Sequence, residues 1–266
     1  MDVTQPSKII VYTCVTGNYE KPVFHTKLEE NISYLCFTDN LKSVSKNWVY
    51  KPIINLDHLN NKDKNRFIKM NPHIFLPEHE ISIYIDGNIE IIGNLNKLII
   101  SLQKAEEDIF FYEHSYRNCI YSEAEIIVKE SISWFWSAYK QIKKYYLEGF
   151  PEQVGLYEAN IIIRKKTDRL IPLMNLWWQE YNFGSKRDQV SLPYVSKKLG
   201  FKIFSLGKSN IRYGNHPNKK NHNQFLEDQY FFLNLLQRKR TVSLFHYIRK
   251  YINLFFLKFF KFRPIY

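Results

Sequence analysis

The stretch Ile81-Ser82-Ile83-Tyr84-Ile85-Asp86-Gly87-Asn88-Ile89 decides our interpretation of the fold. Its first five residues are mostly Ile and Tyr, which predicts a strand that is buried on both faces. The next three place two short oxygen-bearing side chains around a residue that has none. A hard divalent cation prefers oxygen ligands on a tight turn that leaves room for substrate phosphates. The alternative is an ordinary Asp-Gly turn, and these three residues by themselves favour it.

Two earlier apolar runs also end in polar residues. Residues 8–15 form a β-branched run that ends at Thr16-Gly17-Asn18-Tyr19, and residues 33–38 form a second run that ends at Asp39. Open α/β sheets bind nucleotides beyond the carboxyl ends of their strands. We therefore predict that backbone groups and Asp39 hold a base and ribose at these ends. The candidate donor-binding residues here are Thr13, Gly17, Asn18, Tyr19 and Asp39.

The segment from Lys62 to Phe75 has a helical pattern, which Pro72 ends or kinks. Arg66 and Lys69 lie three residues apart and share one face of this helix. They either face a phosphate group beside the following strand or belong to a solvated surface. Farther along, residues 122–146 are predicted to form one long helix. Strands and helices alternate along the chain, which predicts an α/β fold with one mixed sheet and helices on both faces.

The composition is that of a folded domain that has an anionic partner. The 266 residues are 45% hydrophobic and 17% aromatic, and the formal net charge is +12. Nucleotide phosphates, nucleic acid and an acidic membrane surface all fit that charge. Three cysteines far apart in sequence argue against a disulfide framework or a structural zinc site. The N-terminal residues contain no signal-peptide pattern, which predicts an intracellular protein.

Several collinear segments between about residues 8 and 205 together resemble one known family. They are Tyr12-Thr13, Gly17-Asn18-Tyr19, Cys36-Phe37-Thr38-Asp39, Pro72-His73, Tyr84 to Ile89, His114 to Ala124, Gly155 to Asn160, Trp177-Trp178-Gln179-Glu180 and Arg187-Asp188-Gln189-Val190-Ser191. This pattern resembles the glycosyltransferase-like family named after plant hexosyltransferase-like proteins of turgor regulation and seed mucilage, which has bacterial relatives in surface-polysaccharide gene clusters. The resemblance implies a GT-A-like, Rossmann-like nucleotide-binding fold, a nucleotide-sugar donor and a Mn²⁺ or Mg²⁺ cofactor.

The resemblance also implies roles for individual residues. Asp86 and Asn88 are the expected metal ligands around Gly87, and His216 resembles the late histidine that many GT-A enzymes add. Because Asn88 lacks a second negative charge, it predicts weaker metal affinity than an Asp-x-Asp site would have. Asp188-Gln189 resembles the Asp-Gln of retaining GT-A enzymes, although Asp188 alternatively caps a helix. We assign catalysis to Asp188, Gln189 and Glu158, and the sugar or acceptor pocket to His114, Arg117, Glu123 and Arg187.

The last thirty residues differ in composition from the rest of the chain. Between residues 237 and 266 there are eight Lys and Arg residues, many Phe residues and no Asp or Glu. We divide the chain into a GT-A-like domain over 1–220 and a basic aromatic helical tail over 221–266. On a helical wheel Lys250, Asn253, Lys258 and Lys261 share a polar side, which suits an anionic membrane surface. A helix that is docked on the domain with its lysines outward is the alternative.

These observations predict a glycosyltransferase that transfers a hexose from a nucleotide sugar, a UDP-sugar, to a glycan or lipid-linked glycan acceptor. Capsule, O-antigen and lipooligosaccharide are the expected products, and the inner face of the cell membrane is the expected location. A basic nucleic-acid-binding protein and a catalytically inactive GT-A scaffold are the alternatives. The sequence has no RNP, helix-turn-helix or zinc pattern, so we expect no nucleic acid partner.

Overall fold

A seven-stranded mixed sheet organises the fold in a computed structural model, which describes residues 9–17, 28–40, 48–209, 232–234 and 243–262. The strands of this sheet are β1 (Ile9–Val15), β2 (Ile32–Thr38), β3 (Val49–Pro52), β4 (Ile81–Ile85), β6 (Ile109–Glu113), β7 (Tyr157–Lys165) and β8 (Phe204–Lys208). Two short strands, β5 (Ile89–Ile91) and β9 (Phe232–Asn234), form a separate antiparallel pair. The helices are α1 (Asn61–Met70), α2 (Pro72–Phe75), α3 (Leu95–Gln103), α4 (Ile120–Lys129), α5 (Phe135–Leu147), α6 (Leu170–Phe183), α7 (Asp188–Lys198) and α8 (Leu244–Phe259).

The strand order is β3-β2-β1-β4-β7-β6-β8, and it places a topological switch point at β1. β1 is parallel to β2 on one side and to β4 on the other, whereas β7 is antiparallel to β4. The order along the chain therefore reverses between β1 and β4. In open α/β sheets, ligands bind in the crevice at this point, outside the carboxyl ends of the strands. The residues that follow β1, β2 and β4 lie at this edge.

Helices cover both faces of the sheet near β1 and β4. Successive strand residues point to opposite faces. Val11 and Ile83 lie in the buried cluster that includes Leu95 and Leu98 of α3. Tyr12 points the other way and donates a hydrogen bond to the main-chain oxygen of Lys69, near the end of α1. The predicted α/β class, with one mixed sheet flanked by helices, is confirmed.

The chain divides into two compact units. The first comprises residues 1–112, 160–171 and 203–236, and the second comprises residues 113–159, 172–202 and 237–266. The predicted domain boundary at residue 220 lies outside the described residues and stays a prediction. The three cysteines, Cys14, Cys36 and Cys119, are free and buried. Within the described ranges, no helix combines the length and the apolar character that are needed to cross a bilayer.

The prediction of one continuous helix over 122–146 is wrong. α4 ends at Lys129 and α5 begins at Phe135. Between them Ser131 has a φ of 54°, in the left-handed region, and so interrupts the helix. Side chains of α8 bind the backbone at this break: Arg249 donates to the Ser131 carbonyl, and the Phe135 N–H donates to Asn253 Oδ1. These long-range hydrogen bonds compensate for those that a continuous helix would have made.

Candidate functional site

Strand ends at the carboxyl edge of the sheet in the first unit are joined by hydrogen bonds. The Gly17 N–H lies 2.9 and 3.1 Å from the two carboxylate oxygens of Asp39 and donates to both. The Thr16 hydroxyl donates to the Asn61 carbonyl at 2.7 Å, which joins the end of β1 to the start of α1. Gly17 has a φ of 62°, and a Cβ at this position would collide with the Asn61 amide. The turn after β1 therefore favours glycine, and Asp39 holds it in place.

The other donor-binding candidates near β1 lie in different settings. Thr13 is buried within the strand, and its hydroxyl has no hydrogen-bond partner among the described residues. Thr13 therefore lies inside the sheet and not in the turn at its edge. Asn18 and Tyr19, as well as the predicted third metal ligand His216, lie outside the described residues.

Asp86, which follows β4, has a defined environment. Its Oδ1 accepts a hydrogen bond from the Tyr84 hydroxyl at 2.7 Å and lies 3.7 Å from Lys69 Nζ. The Lys69 side chain is 1% exposed, while that of Asp86 is 26% exposed. Burial, together with the nearby Asp86 carboxylate, raises the pKa of Tyr84, so this phenol remains a neutral donor. Tyr84 and Lys69 therefore fix the position of the Asp86 carboxylate, which stays partly accessible to solvent.

Helix α1 presents polar side chains to the same edge. Asn65 Nδ2 donates to the Cys14 carbonyl at 2.5 Å and to the Tyr84 hydroxyl at 3.4 Å. The Arg66 guanidinium donates to Asn65 Oδ1. Of the predicted pair, Lys69 reaches Asp86 at the end of β4, whereas Arg66 binds its neighbour Asn65 on α1. Lys69 is buried and Arg66 is partly exposed.

Buried groups behind α1 fix the position of Lys69. The Lys69 main-chain oxygen accepts hydrogen bonds from the Tyr12 hydroxyl at 3.1 Å and from Arg164 Nη2 at 3.0 Å. Arg164 also donates to the Tyr12 hydroxyl. This guanidinium is 2% exposed, and burial lowers its pKa. Its hydrogen bonds hold the last turn of α1 against the sheet, which sets the distance between Lys69 and Asp86.

The turn after β4 carries the two residues that are candidates to hold a metal. Asp86 and Asn88 supply a carboxylate and an amide oxygen on either side of Gly87, and the Ile89 N–H closes the turn on the Asp86 carbonyl at 2.9 Å. In the part of the chain that the structure describes, no group of three or more His, Cys, Asp or Glu residues is placed to hold a metal. Two oxygen ligands fit a cation that takes its remaining ligands from substrate phosphates and water, as Mg²⁺ commonly does.

A second cluster lies in the second unit, and Glu123 is at its centre. Glu123 is fully buried in α4, and its Oε2 accepts a hydrogen bond from Arg117 Nε at 2.8 Å. Its Oε1 accepts one from Arg187 Nε at 3.1 Å. A buried carboxylate is stabilised only when it is paired and hydrogen-bonded. Glu123 therefore fixes the positions of two guanidinium groups that are themselves partly exposed.

His114 follows β6 and is neutral near neutral pH. Its Nδ1 accepts hydrogen bonds from the N–H groups of Tyr116 and Arg117, both at 3.1 Å. Nδ1 is thus an acceptor, and Nε2 lies 2.8 Å from Arg117 Nη2 and 3.5 Å from Glu158 Oε1. Burial and the Arg117 guanidinium lower the pKa of His114 to about 4. At neutral pH the imidazole is an uncharged hydrogen-bonding group.

Glu158, Asp188 and Gln189 join this cluster from β7 and α7. Gln189 Nε2 donates to Glu158 Oε2 at 2.5 Å. Burial raises the pKa of Glu158, and nearby Glu123 and Asp188 act in the same direction against Arg187. The N-cap of α7 is Arg187, so Asp188 is the first residue of the helix and not its cap. Asp188 Oδ1 accepts the N–H of Gln189 at 3.2 Å.

The structure brings together all seven residues that we assigned to catalysis and the sugar pocket. It also identifies supporting residues that sequence reasoning missed. Tyr84 and Asn65 bind the Asp86 region, and Trp177 Nε1 donates to the Asp188 carbonyl at 3.0 Å. Tyr84 precedes Asp86 by two residues, and residues two apart in a strand point to the same face, so the sequence contained this signal. Likewise, Asn61, Asn65 and Lys69 recur at intervals of four, which marks a polar stripe on α1.

Comparison with solved structures returns glycosyltransferases of low sequence identity. The bifunctional glycosyltransferase WbbM is 10% identical with a TM-score of 0.49, and the match covers 96% of this chain and 50% of that one. The galactosyltransferase LgtC, in complex with donor and acceptor sugar analogues, is 8% identical with a TM-score of 0.45, and 92% and 95% of the two chains are covered. Mouse xyloside xylosyltransferase 1 is 10% identical with a TM-score of 0.45, and the coverage is 85% and 96%.

Comparisons of sequence give the assignment. No curated protein matches the chain. The present chain spans half the length of the WbbM chain. The model of the family described as TOD1/MUCI70, glycosyltransferase-like domain, matches residues 2–212, which is most of the 266 residues. The chain therefore belongs to this family, which confirms the predicted resemblance and, at the level of the family, the prediction of a glycosyltransferase-like enzyme.

Proposed function

We propose that this chain is a GT-A-type hexosyltransferase that uses a UDP-sugar as donor. Its acceptor is a surface-polysaccharide glycan of the capsule, O-antigen or lipooligosaccharide type. The observation that best supports donor binding is the arrangement at the switch point. There the turn held by Asp39 and the partly exposed Asp86, paired with buried Lys69, lie at one edge of the sheet. This is the edge at which α/β sheets bind nucleotides.

Lys69 and Arg66 supply positive charge where a diphosphate would leave. In glycosyl transfer the bond between the anomeric carbon and the diphosphate oxygen breaks, and negative charge grows on the leaving group. A fixed cation that is directed at that charge stabilises the transition state more than the ground state. The Lys69 ammonium is buried and its main-chain oxygen is tied to Tyr12 and Arg164, so little reorganisation is needed.

Asp86 and Asn88 would hold the divalent cation. Mn²⁺ or Mg²⁺ bound at this turn supplies Lewis-acid neutralisation of the diphosphate charge. A single carboxylate that already accepts a hydrogen bond from Tyr84 favours modest metal affinity. The predicted contribution of His216 stays a prediction.

The cluster in the second unit carries the groups that we assign to the sugar and acceptor. Asp188 and Gln189 are the candidates beside the reacting sugar, and Glu158, whose pKa is raised, is suited to exchange a proton with a hydroxyl group. Neutral His114 lies beside Arg117 and Glu158 in this pocket and adds no charge to it. Glu123 acts by positioning Arg117 and Arg187.

A panel of nucleotide sugars, tested for Mn²⁺-dependent hydrolysis without acceptor, tests this proposal. We expect UDP release from one sugar, and we expect Asp86→Ala to abolish it without unfolding the chain. Asp57→Ala, which removes a 92% exposed carboxylate, is the matched control and should retain activity. Equal turnover by wild type and Asp86→Ala would contradict the assigned site.

The two alternatives give different results in the same preparations. An inactive scaffold would bind UDP in calorimetry but release none from any sugar. A nucleic-acid-binding protein would retain DNA or RNA on a column and lose it as salt rises. Either outcome would replace the proposed activity.

A further inference from the structure

Helix α8 docks through polar side chains and exposes apolar ones, which is the opposite of an ordinary surface helix. Its buried side carries polar residues in the first three turns, among them Arg249 and the fully buried Asn253. The Asn253 amide donates to the carbonyls of Val128 and Ser133 and accepts the Phe135 N–H, at 2.8 to 2.9 Å. A surface helix normally buries its apolar stripe and exposes its polar face. Here the polar side chains attach the helix to the second unit.

Aromatic side chains complete the attachment at the C-terminal end. The Phe135 ring stacks on Phe256 at 5.3 Å between centroids and also contacts Phe260 and Phe262. Trp136 packs edge-on against Phe256 at 4.9 Å. α8 is therefore a fixed part of the second unit, and its orientation defines which side faces outward.

The helical wheel placed Asn253 on one polar side with Lys250, Lys258 and Lys261, which we expected to face a membrane surface; this is wrong for Asn253, which is buried. The outward side is almost entirely apolar, with Tyr251 74% exposed and Phe259 68% exposed. Among the exposed residues of α8, Lys258 alone is charged. The other exposed residues of the helix are Leu244, Phe245, Tyr247, Ile248, Ile252, Leu254 and Phe255. We call this set, with Lys258, the outer face of α8.

Two tryptophans extend the outer face. Trp134 is 39% exposed and Trp136 is 49% exposed. Trp134 contacts Phe245 at 5.8 Å between ring centroids, and Trp136 lies against Phe256. Tryptophan at the border of an apolar surface is typical of proteins that sit at a membrane interface. A contiguous apolar surface of this kind marks a binding site rather than ordinary exposure.

Charge distinguishes a lipid surface from other occupants. Lys258 lies on the outer face, and Lys261 follows the helix and is also exposed. In sequence, Arg238, Lys239 and Arg240 precede the helix and Arg263 follows it, all outside the described residues, and the last thirty residues contain no acid. A nearby carboxylate is that of Glu125 of α4, which lines one cavity with Lys261. Apolar side chains and lysines, in a segment without acidic residues of its own, complement an anionic bilayer, in which acyl chains lie beneath negative headgroups.

We propose that the outer face of α8 inserts into the interfacial region of an anionic membrane, with the helix parallel to the bilayer plane. The docked side then keeps the second unit attached to the helix while the outer residues enter the lipid. Membrane insertion does not depend on sugar transfer. A second conclusion, about the acceptor, rests on the proposed function: an enzyme held at a bilayer favours a lipid-linked glycan among the predicted acceptors.

Vesicle sedimentation of the full chain tests the surface directly. Phosphatidylcholine vesicles with and without phosphatidylglycerol are compared for the wild type and for Phe255→Ser/Phe259→Ser. Both phenylalanines point outward, so the double variant should fold as the wild type does. We expect binding that requires phosphatidylglycerol and that falls about tenfold or more for each Phe removed. Ile74→Ser/Ile100→Ser, at 55% and 61% exposure in the first unit, is the matched control and should bind normally.

Tryptophan quenching distinguishes insertion from adsorption. Lipids with brominated acyl chains should quench the wild type, and Trp134→Phe/Trp136→Phe should lose most of that quenching, since Trp48 and Trp177 are buried and the fifth tryptophan, Trp178, is on α6 and half-buried against Tyr181. Sedimentation that depends on salt and Lys258 but not on the two phenylalanines would overturn the proposal in favour of surface adsorption. Failure of the wild type to bind vesicles would also overturn the proposal. If the wild type formed a dimer that Phe255→Ser/Phe259→Ser did not form, the outer face of α8 would be a contact between copies of the chain. UDP release is measured separately, so a negative vesicle result would refute membrane insertion without bearing on sugar transfer, and the reverse also holds.

Discussion

His114→Asn gives a direct test of the geometry around the second cluster. The His114 ring is buried, and its Nδ1 accepts two backbone N–H groups. An asparagine at this position offers an amide oxygen in place of Nδ1, so the backbone turn can retain its acceptor. What the variant loses is the titratable group. Any difference in pH dependence between the variant and the wild type therefore reports the state of this imidazole.

The expected magnitude follows from the lowered pKa of His114. Burial and Arg117 bring it from 6.5 to about 4. Between these values the unfolded chain binds a proton that the folded chain does not bind, so stability rises with pH across this range. The contribution is fully present above about pH 6.5 and is lost as the pH falls towards about 4. At about 1.36 kcal/mol per pH unit, the change amounts to about 3 kcal/mol.

Glu158 changes stability with pH in the opposite direction to His114, and the experiment therefore compares two proteins that both contain Glu158. Its raised pKa means that the folded carboxyl keeps its proton at pH values where the unfolded carboxyl has lost it. Stability from this group therefore falls as pH rises above the unfolded value. The Glu158 effect is common to the wild type and His114→Asn and largely cancels in the comparison. The difference between the two curves is thus the quantity that isolates His114.

Urea unfolding at a series of pH values from about 7 to about 4 measures that difference. We expect the wild type to lose about 3 kcal/mol more than His114→Asn over the range. His58→Asn removes an exposed histidine and should leave the wild-type curve unchanged. If His114→Asn and the wild type lose stability in parallel, His114 titrates normally, and the buried neutral imidazole is refuted.

Three further changes test the other contacts. Lys69→Met removes the buried ammonium beside Asp86 and should weaken UDP binding in calorimetry by about tenfold, while Lys166→Met, at an exposed ion pair, should not. Asn88→Asp adds a second carboxylate and should tighten Mn²⁺ binding by about tenfold; unchanged affinity would remove Asn88 from the metal site. Asn253→Leu removes three hydrogen bonds to the backbone and leaves the Ser133 carbonyl and the Phe135 N–H without the Asn253 partner; it should lower the free energy of unfolding by about 3 kcal/mol, whereas an unchanged urea midpoint would contradict its docking role.

The carboxyl edge of the sheet could be predicted because the information is local. Each of β1, β2 and β4 is an apolar run that ends abruptly at a polar residue, and parallel strands bring such ends to one edge. The pairing of Lys69 with Asp86 could not be predicted in the same way. It depends on the packing of α1, which buried Arg164 fixes from a strand far along the chain. No local pattern reports the distance between two such elements.

The second cluster shows the same division. Family resemblance selected its residues, but the hydrogen bonds of Arg187 to Glu123 and of Gln189 to Glu158 join residues that are distant in sequence. The role of Glu123 changes accordingly. As a pocket residue it was expected to meet the sugar, yet it is fully buried between two guanidinium groups. Burial is a property of the folded chain, and a single acidic residue in a helix gives no sign of it.

Helix α8 shows why an amphipathic pattern does not by itself give orientation. A helical wheel divides residues into two sides, but which side docks depends on what the partner surface offers. Here that surface is the break between α4 and α5, where backbone groups without helical partners need donors and acceptors. Asn253 and Arg249 satisfy them, which leaves the aromatic residues outward. Unsatisfied buried backbone groups are costly. The need to satisfy them therefore explains how a folded unit keeps an apolar helix face exposed, and that face is then available to a bilayer.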